Sequence, residues 1–197
     1  MTVYDKKEDR RVRRTKKLLV QALTKLMSQK QIKEITVKEL TDLADVNRGT
    51  FYLYYKDIFD MVEKTEDALF DALNEITRPV EDEGMPESLT PMLVSLFEFI
   101  GQNSEMVSVL LSPNGDMSFL HRLNTLLREK FISLSPFGKG GERETESDCR
   151  YSFAVFGAAG LIRSWLNRGQ KESPEHMAAL TNSLLFNGIF ENTAKSM

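Results

Sequence analysis

Apolar residues recur along almost the whole chain at the three- and four-residue spacing of amphipathic helices, and no stretch alternates apolar with polar residues as a half-exposed strand would. Leu18, Leu19, Ala22, Leu23 and Leu26 fall on one face of a first helix of about 20 residues. After a break at 29–34, Thr36 has the hydroxyl and position of an N-cap. Glu39, three residues on, completes a capping box, and Val37, Leu40, Leu43 and Ala44 continue as a short second helix. That helix ends at Ala44-Asp45-Val46, and Asn47 can cap a third that runs through Arg48, Gly49, Thr50, Phe51, Tyr52 and Leu53. Two short helices joined by a tight turn make a helix-turn-helix.

Asp57 is placed to cap a fourth helix carrying Ile58, Phe59, Met61, Val62, Leu69, Phe70, Leu73 and Ile76, expected to stop before Pro79. Residues 79–90 read as a polar linker, and Thr90-Pro91 as N-cap and first residue of the next helix, ending near Gly101. A short apolar segment follows at 104–111, then a turn at Ser112-Pro113-Asn114-Gly115. Asp116 caps a helix marked by Phe119, Leu120, Leu123, Leu126, Leu127, Phe131 and Ile132. Residues 138–147 read as a flexible loop. Two last helices cover about 148–168, with Gly169 as its stop, and 174–190, opened by Ser173-Pro174. The expected fold is all-α, with about nine helices and no internal repeat.

Charge divides this helical chain unevenly. Residues 1–56 hold 14 Lys/Arg against 7 Asp/Glu, while the remainder holds 12 against 22, so an overall net charge of −3 conceals a basic end suited to a polyanion. No apolar run reaches the roughly 18 residues of a membrane span, and the start of the chain is polar, so a cytoplasmic protein without membrane attachment is expected. The single cysteine, Cys149, has only His121 and His176 to join it, so neither an internal disulfide nor a metal site is expected. Phe137-Gly138-Lys139-Gly140-Gly141 lacks the spacing and the preceding strand of a phosphate-binding loop. No cofactor is expected.

The segment Thr36-Val37-Lys38-Glu39-Leu40-Thr41-Asp42-Leu43-Ala44-Asp45-Val46-Asn47-Arg48-Gly49-Thr50-Phe51-Tyr52-Leu53-Tyr54-Tyr55-Lys56-Asp57 closely resembles the DNA-binding segment of the TetR family of transcriptional regulators. With the basic helix before it, the resemblance covers residues 9–60. Trp165-Leu166-Asn167-Arg168-Gly169 and Ser173-Pro174 further resemble the regulatory region of a branch common in Gram-positive bacteria. The resemblance implies a reader over residues 1–58, a linking helix at 57–77 and a ligand-sensing and dimerisation region over 78–197.

It also implies DNA-binding roles for Thr36, Asn47, Arg48, Gly49, Thr50, Tyr52, Tyr54 and Lys56, and the chemistry agrees. Arg48 can hydrogen-bond both acceptors of a guanine edge, and Gly49 lets the backbone come close to the duplex. Thr50, Tyr52, Tyr54 and Lys56 suit phosphate oxygens, and Thr36 presents a helix N-terminus to the backbone. Phe51 and Tyr55 read as core, with Val46, Leu40 and Leu23. The chain departs from the family pattern where Asp45 replaces a turn glycine and Ile58 replaces a lysine that meets a phosphate, with Lys56 the residue able to take over. The basic run from Lys6 to Lys17 is either a DNA-binding arm or a solvated terminus.

The expected partners are double-stranded DNA bearing a pseudo-palindromic operator, a second copy of the chain in a homodimer, and a small apolar effector. The expected activity is that of a sequence-specific regulator, a repressor released by that effector. Phe97, Met106, Phe119, His121, Phe131, Tyr151 and Trp165 are candidate pocket walls, though each taken singly reads more readily as ordinary core than as a ligand contact. A regulator or co-activator answering to a protein partner is the alternative. An enzyme is disfavoured, because no Ser/His/Asp, Cys/His or paired-carboxylate arrangement is evident.

Overall fold

The computed structural model describes residues 9–83, 88–112, 117–134 and 142–187, and among these every regular element is helical. The order is α1 Arg10–Met27, a 3-10 turn at Ile32–Glu34, α2 Val37–Ala44, α3 Arg48–Tyr52, α4 Ile58–Glu83, α5 Thr90–Gln102, α6 Ser104–Leu110, α7 Met117–Leu134, α8 Glu142–Asn167 and α9 Pro174–Asn187. The expected all-α fold of about nine helices is therefore the one observed among the described residues.

The chain forms two compact units, one of Met1–Leu73 with Glu105–Leu123 and one of Asn74–Ser104 with Asn124–Met197. In the first, Leu19, Leu23, Leu40, Phe51 and Met61 are fully buried, so one apolar face each of α1, α2, α3 and α4 closes a single small core. This unit also takes in α6 from Glu105 onward and the start of α7. Thr24 on α1 places its hydroxyl 3.8 Å from the Met106 sulfur, and Phe70 on α4 lies against Phe119 on α7 with ring centroids 5.1 Å apart. In the second unit α5 runs along α9, and the core is built on Phe97 and Trp165, whose rings meet edge to face at 5.3 Å. The indole Nε1 donates to the Glu172 carbonyl at 2.9 Å, which satisfies the polar edge of a buried tryptophan.

The helix stops follow local chemistry. At the end of α8 Gly169 has φ +75, its N–H donates to Leu166 and that of Gln170 donates to Trp165, the paired bonds of a Schellman motif. The end of α2 repeats the arrangement with a carboxylate residue, since Asp45 has φ 53 and the Val46 N–H reaches back to the Thr41 carbonyl at 3.0 Å.

Three boundaries differ from those expected. α4 does not stop before Pro79 but continues to Glu83, so 79–83 is helix rather than linker. A proline removes one N–H from a helix, and good helix formers on either side can carry the winding past it. α5 begins at Thr90 itself, with Leu89 as N-cap residue, and the capping oxygen is supplied by Ser88, which accepts from the Thr90 N–H at 3.2 Å. α8 begins at Glu142, so 142–147 is not loop. There Glu146 pairs with Arg150 one turn on, an i,i+4 contact that supports helix. α9 is described as far as Asn187, and the rest of its expected course, 188–190, lies outside the described residues. The expected turn at 113–116 with its Asp116 cap, and the remaining loop residues 138–141 with their Lys139, lie outside the described residues.

Candidate nucleic-acid interface

The helix-turn-helix is held by caps that the sequence encodes. Thr36 Oγ1 accepts from the Glu39 N–H at 3.2 Å, and Asn47 Oδ1 accepts from the Gly49 N–H at 2.7 Å. The expected capping box at α2 is half formed. The Glu39 carboxylate pairs with Lys30 Nζ rather than turning back to the cap, because a nearby ammonium offers a charge-assisted bond. At α4 a related arrangement forms, with the return bond one residue earlier: Asp57 Oδ1 accepts from the Asp60 N–H at 2.8 Å, and Asp60 Oδ2 accepts from the Lys56 N–H at 2.9 Å.

These caps fix which residues of α3 face out. Phe51 and Tyr55, one turn apart, are buried against each other with centroids 5.5 Å apart, as the pattern predicts. Arg48, Gly49 and Tyr52 are thereby turned outward, with Tyr52 57% exposed and its ring edge-on to Phe51. Asn47 and Lys56 are exposed, Thr50 and Tyr54 half-buried, and Thr36 exposed at the start of α2. No ion pair with a described residue engages Arg48. An alanine Cβ at Gly49 would come 3.1 Å from Asn47 Oδ1, so the missing side chain serves the cap as well as the outward face.

Charge gathers beside this face from two other helices. Lys16 on α1 holds its ammonium 5.6 Å from the centroid of the Tyr54 ring. Lys64 on α4 donates to the Tyr54 carbonyl at 3.1 Å and to Asp60 Oδ2 at 2.9 Å, and lies 5.6 Å from the Tyr55 ring centroid. The Lys64 hydrogen bond, with that of the Lys56 N–H, holds the Asp60 carboxyl below its ordinary range. Ile58 is buried, so the position of the usual phosphate-meeting lysine has become part of the core, and Lys56 is the exposed cation next to it.

Sequence reasoning missed Lys16 and Lys64 as partners of the Tyr54-Tyr55 turn, because only the tertiary fold brings them there. It also left out Leu53, whose exposure depends on how α3 is rotated. The candidate pocket residues separate. Met106 and Phe119 are buried in the first unit, and Phe97, Tyr151 and Trp165 in the second. Tyr151 reaches Asn124, with the carbonyl at 2.9 Å and Oδ1 at 2.6 Å, and burial pushes its phenol up. His121 is exposed, and the Phe131 side chain lies outside the described residues. No helix among the described residues is long and apolar enough to cross a membrane.

Similarities to known proteins bear on the fold and the family. Residues 87–187, just over half of the chain, match the TetR-family transcriptional regulator C-terminal region. The chain is 29% identical over 168 residues to the uncharacterised HTH-type transcriptional regulator YxbF of Bacillus subtilis (strain 168), an alignment covering 79% of this chain and 40% of that protein. It thus spans well under half the length of that curated relative. Among solved structures, the fatty acid degradation regulator FadR of Bacillus halodurans superposes with a TM-score of 0.64 at 15% identity, over 93% of this chain and 98% of that one. FadR of Bacillus subtilis in complex with stearoyl-CoA superposes with a TM-score of 0.59 at 15% identity, over 88% and 98%. With its regulatory region matched over that length, and with the helix-turn-helix before it, the chain belongs to the TetR family of transcriptional regulators.

Proposed function

We propose that the protein is a dimeric, sequence-specific DNA-binding repressor that reads a pseudo-palindromic operator with α3 and is released from it by a small effector. The observation that carries this reading is the outward face of α3, where Arg48, Gly49 and Tyr52 stand clear of a core held by Phe51 and Tyr55. Arg48 reads a guanine. Asn47 and Gly49 allow close approach, and Thr36, Thr50, Tyr52, Tyr54 and Lys56 set the register on phosphates. Residues 1–58 act as reader, 57–77 as link and 78–197 as sensor and dimerisation region.

One short recognition helix covers few base pairs, so two copies on a two-fold site are needed for specificity. α8 offers the surface for a second copy. Phe153, Phe156, Gly157, Gly160 and Ser164 form an exposed stripe on it; of the stripe of Ala154, Gly157, Ala158, Leu161 and Ser164 that spacing alone favours, Gly157 and Ser164 share this face and the others are half-buried. On α9 Leu180 and Leu185 are exposed, whereas Met177 is buried within its own chain and cannot serve a partner.

The likeness in fold to a FadR that holds stearoyl-CoA supports an effector with an apolar part, and stearoyl-CoA is the first ligand to try. The test is operator binding by fluorescence anisotropy. Arg48→Ala should weaken it by about 1–3 kcal/mol and relax selectivity at one position of each half-site. An acyl-CoA that is an effector must lower operator affinity by the same factor by which operator lowers acyl-CoA affinity. Unchanged affinity and selectivity in Arg48→Ala would overturn the assignment of the reader. A series of acyl-CoA ligands that bind without altering operator affinity would overturn that class of effector.

A further inference from the structure

Leu53 is the most exposed large apolar side chain among the described residues, at 76%. It follows directly on α3, yet the helical winding does not end there. The residue has φ −70 and ψ −24, its N–H donates to the Thr50 carbonyl at 3.3 Å, and the N–H groups of Tyr54 and Tyr55 both donate to the Phe51 carbonyl at 3.0 Å. Positions along this turn can therefore be placed by helix geometry, at 3.6 residues per turn. Leu53 lies about 160° round the axis from the buried Phe51 and about 40° from Gly49, one turn before it. Gly49 and Leu53 thus form a single stripe directly opposite the side that anchors α3, with Tyr52 about 80° and Arg48 about 120° round from its centre.

That stripe pairs a position without a side chain with one that carries an isobutyl group. The glycine lets the helix axis come close to whatever it faces, and the leucine then projects into it. The group can neither donate nor accept a hydrogen bond, so it gains only from an apolar surface. The surroundings are basic, since the first 56 residues carry twice as many Lys/Arg as Asp/Glu, which selects a polyanionic partner over an apolar protein groove. On a DNA duplex the major-groove edges carry one apolar feature, the C5-methyl group of thymine.

We infer that Leu53 is a specificity-determining residue that reads a thymine C5-methyl group in each half-site. The inference rests on the DNA-reading function proposed above and adds a second base to the one assigned to Arg48. The rise from Arg48 to Leu53, five residues at about 1.5 Å each, is about 7.5 Å, against roughly 3.4 Å per base along a strand, so the thymine lies about two base pairs from the guanine read by Arg48. Burying one methyl-sized group is worth about fourfold in affinity per half-site, and about tenfold or more for the pair.

The experiment takes the full chain, selects an operator from random duplexes, and then replaces its thymines one symmetric pair at a time by deoxyuridine, which lacks only the methyl group. At one pair the wild-type protein should lose about tenfold in affinity. Leu53→Ala and Leu53→Asn, the second with leucine's branched heavy-atom skeleton but polar, should already have lost that factor on the thymine operator and change less than about twofold on the substitution. Both variants alter an exposed side chain, and equal melting temperatures check that they are folded. If no thymine methyl matters to the wild type, or if one matters equally to the variants, Leu53 is not a reader, while the selected operator leaves the DNA-binding reading standing. If no sequence is enriched over random duplex, both readings fall.

Discussion

The guanidinium carbon of Arg122 on α7 lies 4.4 Å from the centroid of the Phe70 ring on α4. The same group reaches Asp67 Oδ1 at 2.7 Å and comes within 3.9 Å of Glu66, whose carboxylate is 4% exposed. Arg122 therefore ties α7 to α4 by a stacked contact and by charge within the first unit, and Asp67 together with Glu66 keeps it firmly protonated. Arg122→Met retains much of the apolar stem and removes the cation. We expect it to lower stability by about 1–2 kcal/mol, the sum of a partly exposed stacked cation and a partly exposed ion pair, with a smaller deficit at high salt. Urea unfolding at two salt concentrations measures this, and a midpoint equal to wild type in low salt would show that the clamp contributes nothing.

Asp60 ties the start of α4 to Lys56 and Lys64, and its carboxyl is held below its ordinary value first by the Lys64 hydrogen bond and then by the Lys56 N–H. A group whose folded pKa is depressed stabilises fully above its unfolded pKa, near 3.8 for this aspartate, and that contribution is lost as pH falls through the folded value. Acid sensitivity from this source should therefore appear below about pH 4 and be absent at neutral pH. The carboxyl carbon of Asp60 followed by NMR should titrate lower than a free aspartate in the wild type and move toward it in Lys64→Met. An unchanged midpoint in that variant would mean that Lys64 is not what depresses the carboxyl.

Two glycines of the second unit separate backbone strain from crowding. A Cβ at Gly169 would meet no atom within 4 Å, but φ is +75. Gly169→Ala should thus cost about 1 kcal/mol through the backbone alone. At Gly101 no positive φ is involved, and a Cβ would stand 3.0 Å from Gln170 Oε1 and 3.3 Å from the Trp165 ring. The amide end can move away; the buried indole cannot, so Gly101→Ala should cost about 1–3 kcal/mol and shift tryptophan fluorescence. Gly169→Ala should leave that fluorescence unchanged, and a spectral shift in it would show that the indole is less firmly seated than its hydrogen bond implies.

Phe156 is 71% exposed in the middle of the α8 stripe. A charge there is harmless in a monomer and costly in an apolar interface. Phe156→Arg should therefore sediment as a monomer with an unchanged helical circular dichroism spectrum, and should bind operator poorly because only one half-site is engaged. A variant that stays dimeric and binds normally would remove α8 from the interface.

What could be read from the sequence was mainly what is decided within one turn of chain. The caps at Thr36, Asn47 and Asp57 depend on side chains two or three positions from the N–H groups they satisfy, the stops at Gly169 and Asp45 on left-handed backbone and bonds reaching three to five residues back, and all are where spacing places them. The inward turn of Phe51 and Tyr55 followed from period alone. The misses depend on distant partners or on competition between local signals. Glu39 could cap α2 or pair with Lys30, and only the fold brings Lys30 near. Pro79 reads as a stop, yet α4 continues through it. The burial of Glu66 beside Arg122 and the exposure of Leu53 depend on how helices are turned against their neighbours, which a hydropathy pattern does not determine when apolar residues occur on more than one face.

The carboxylate in the joint of the helix-turn-helix bears on how quickly a regulator of the proposed kind finds its site. Asp45 is exposed in the left-handed turn between α2 and α3, where a glycine would satisfy the same backbone at less strain and without charge. In a regulator of the proposed kind such an anion would oppose adhesion to phosphates on random DNA and at the operator alike, lowering both affinities while leaving their ratio to the base contacts. Exchanging Asp45 for glycine would then yield a sturdier protein that lingers longer on every sequence and takes longer to leave the wrong ones.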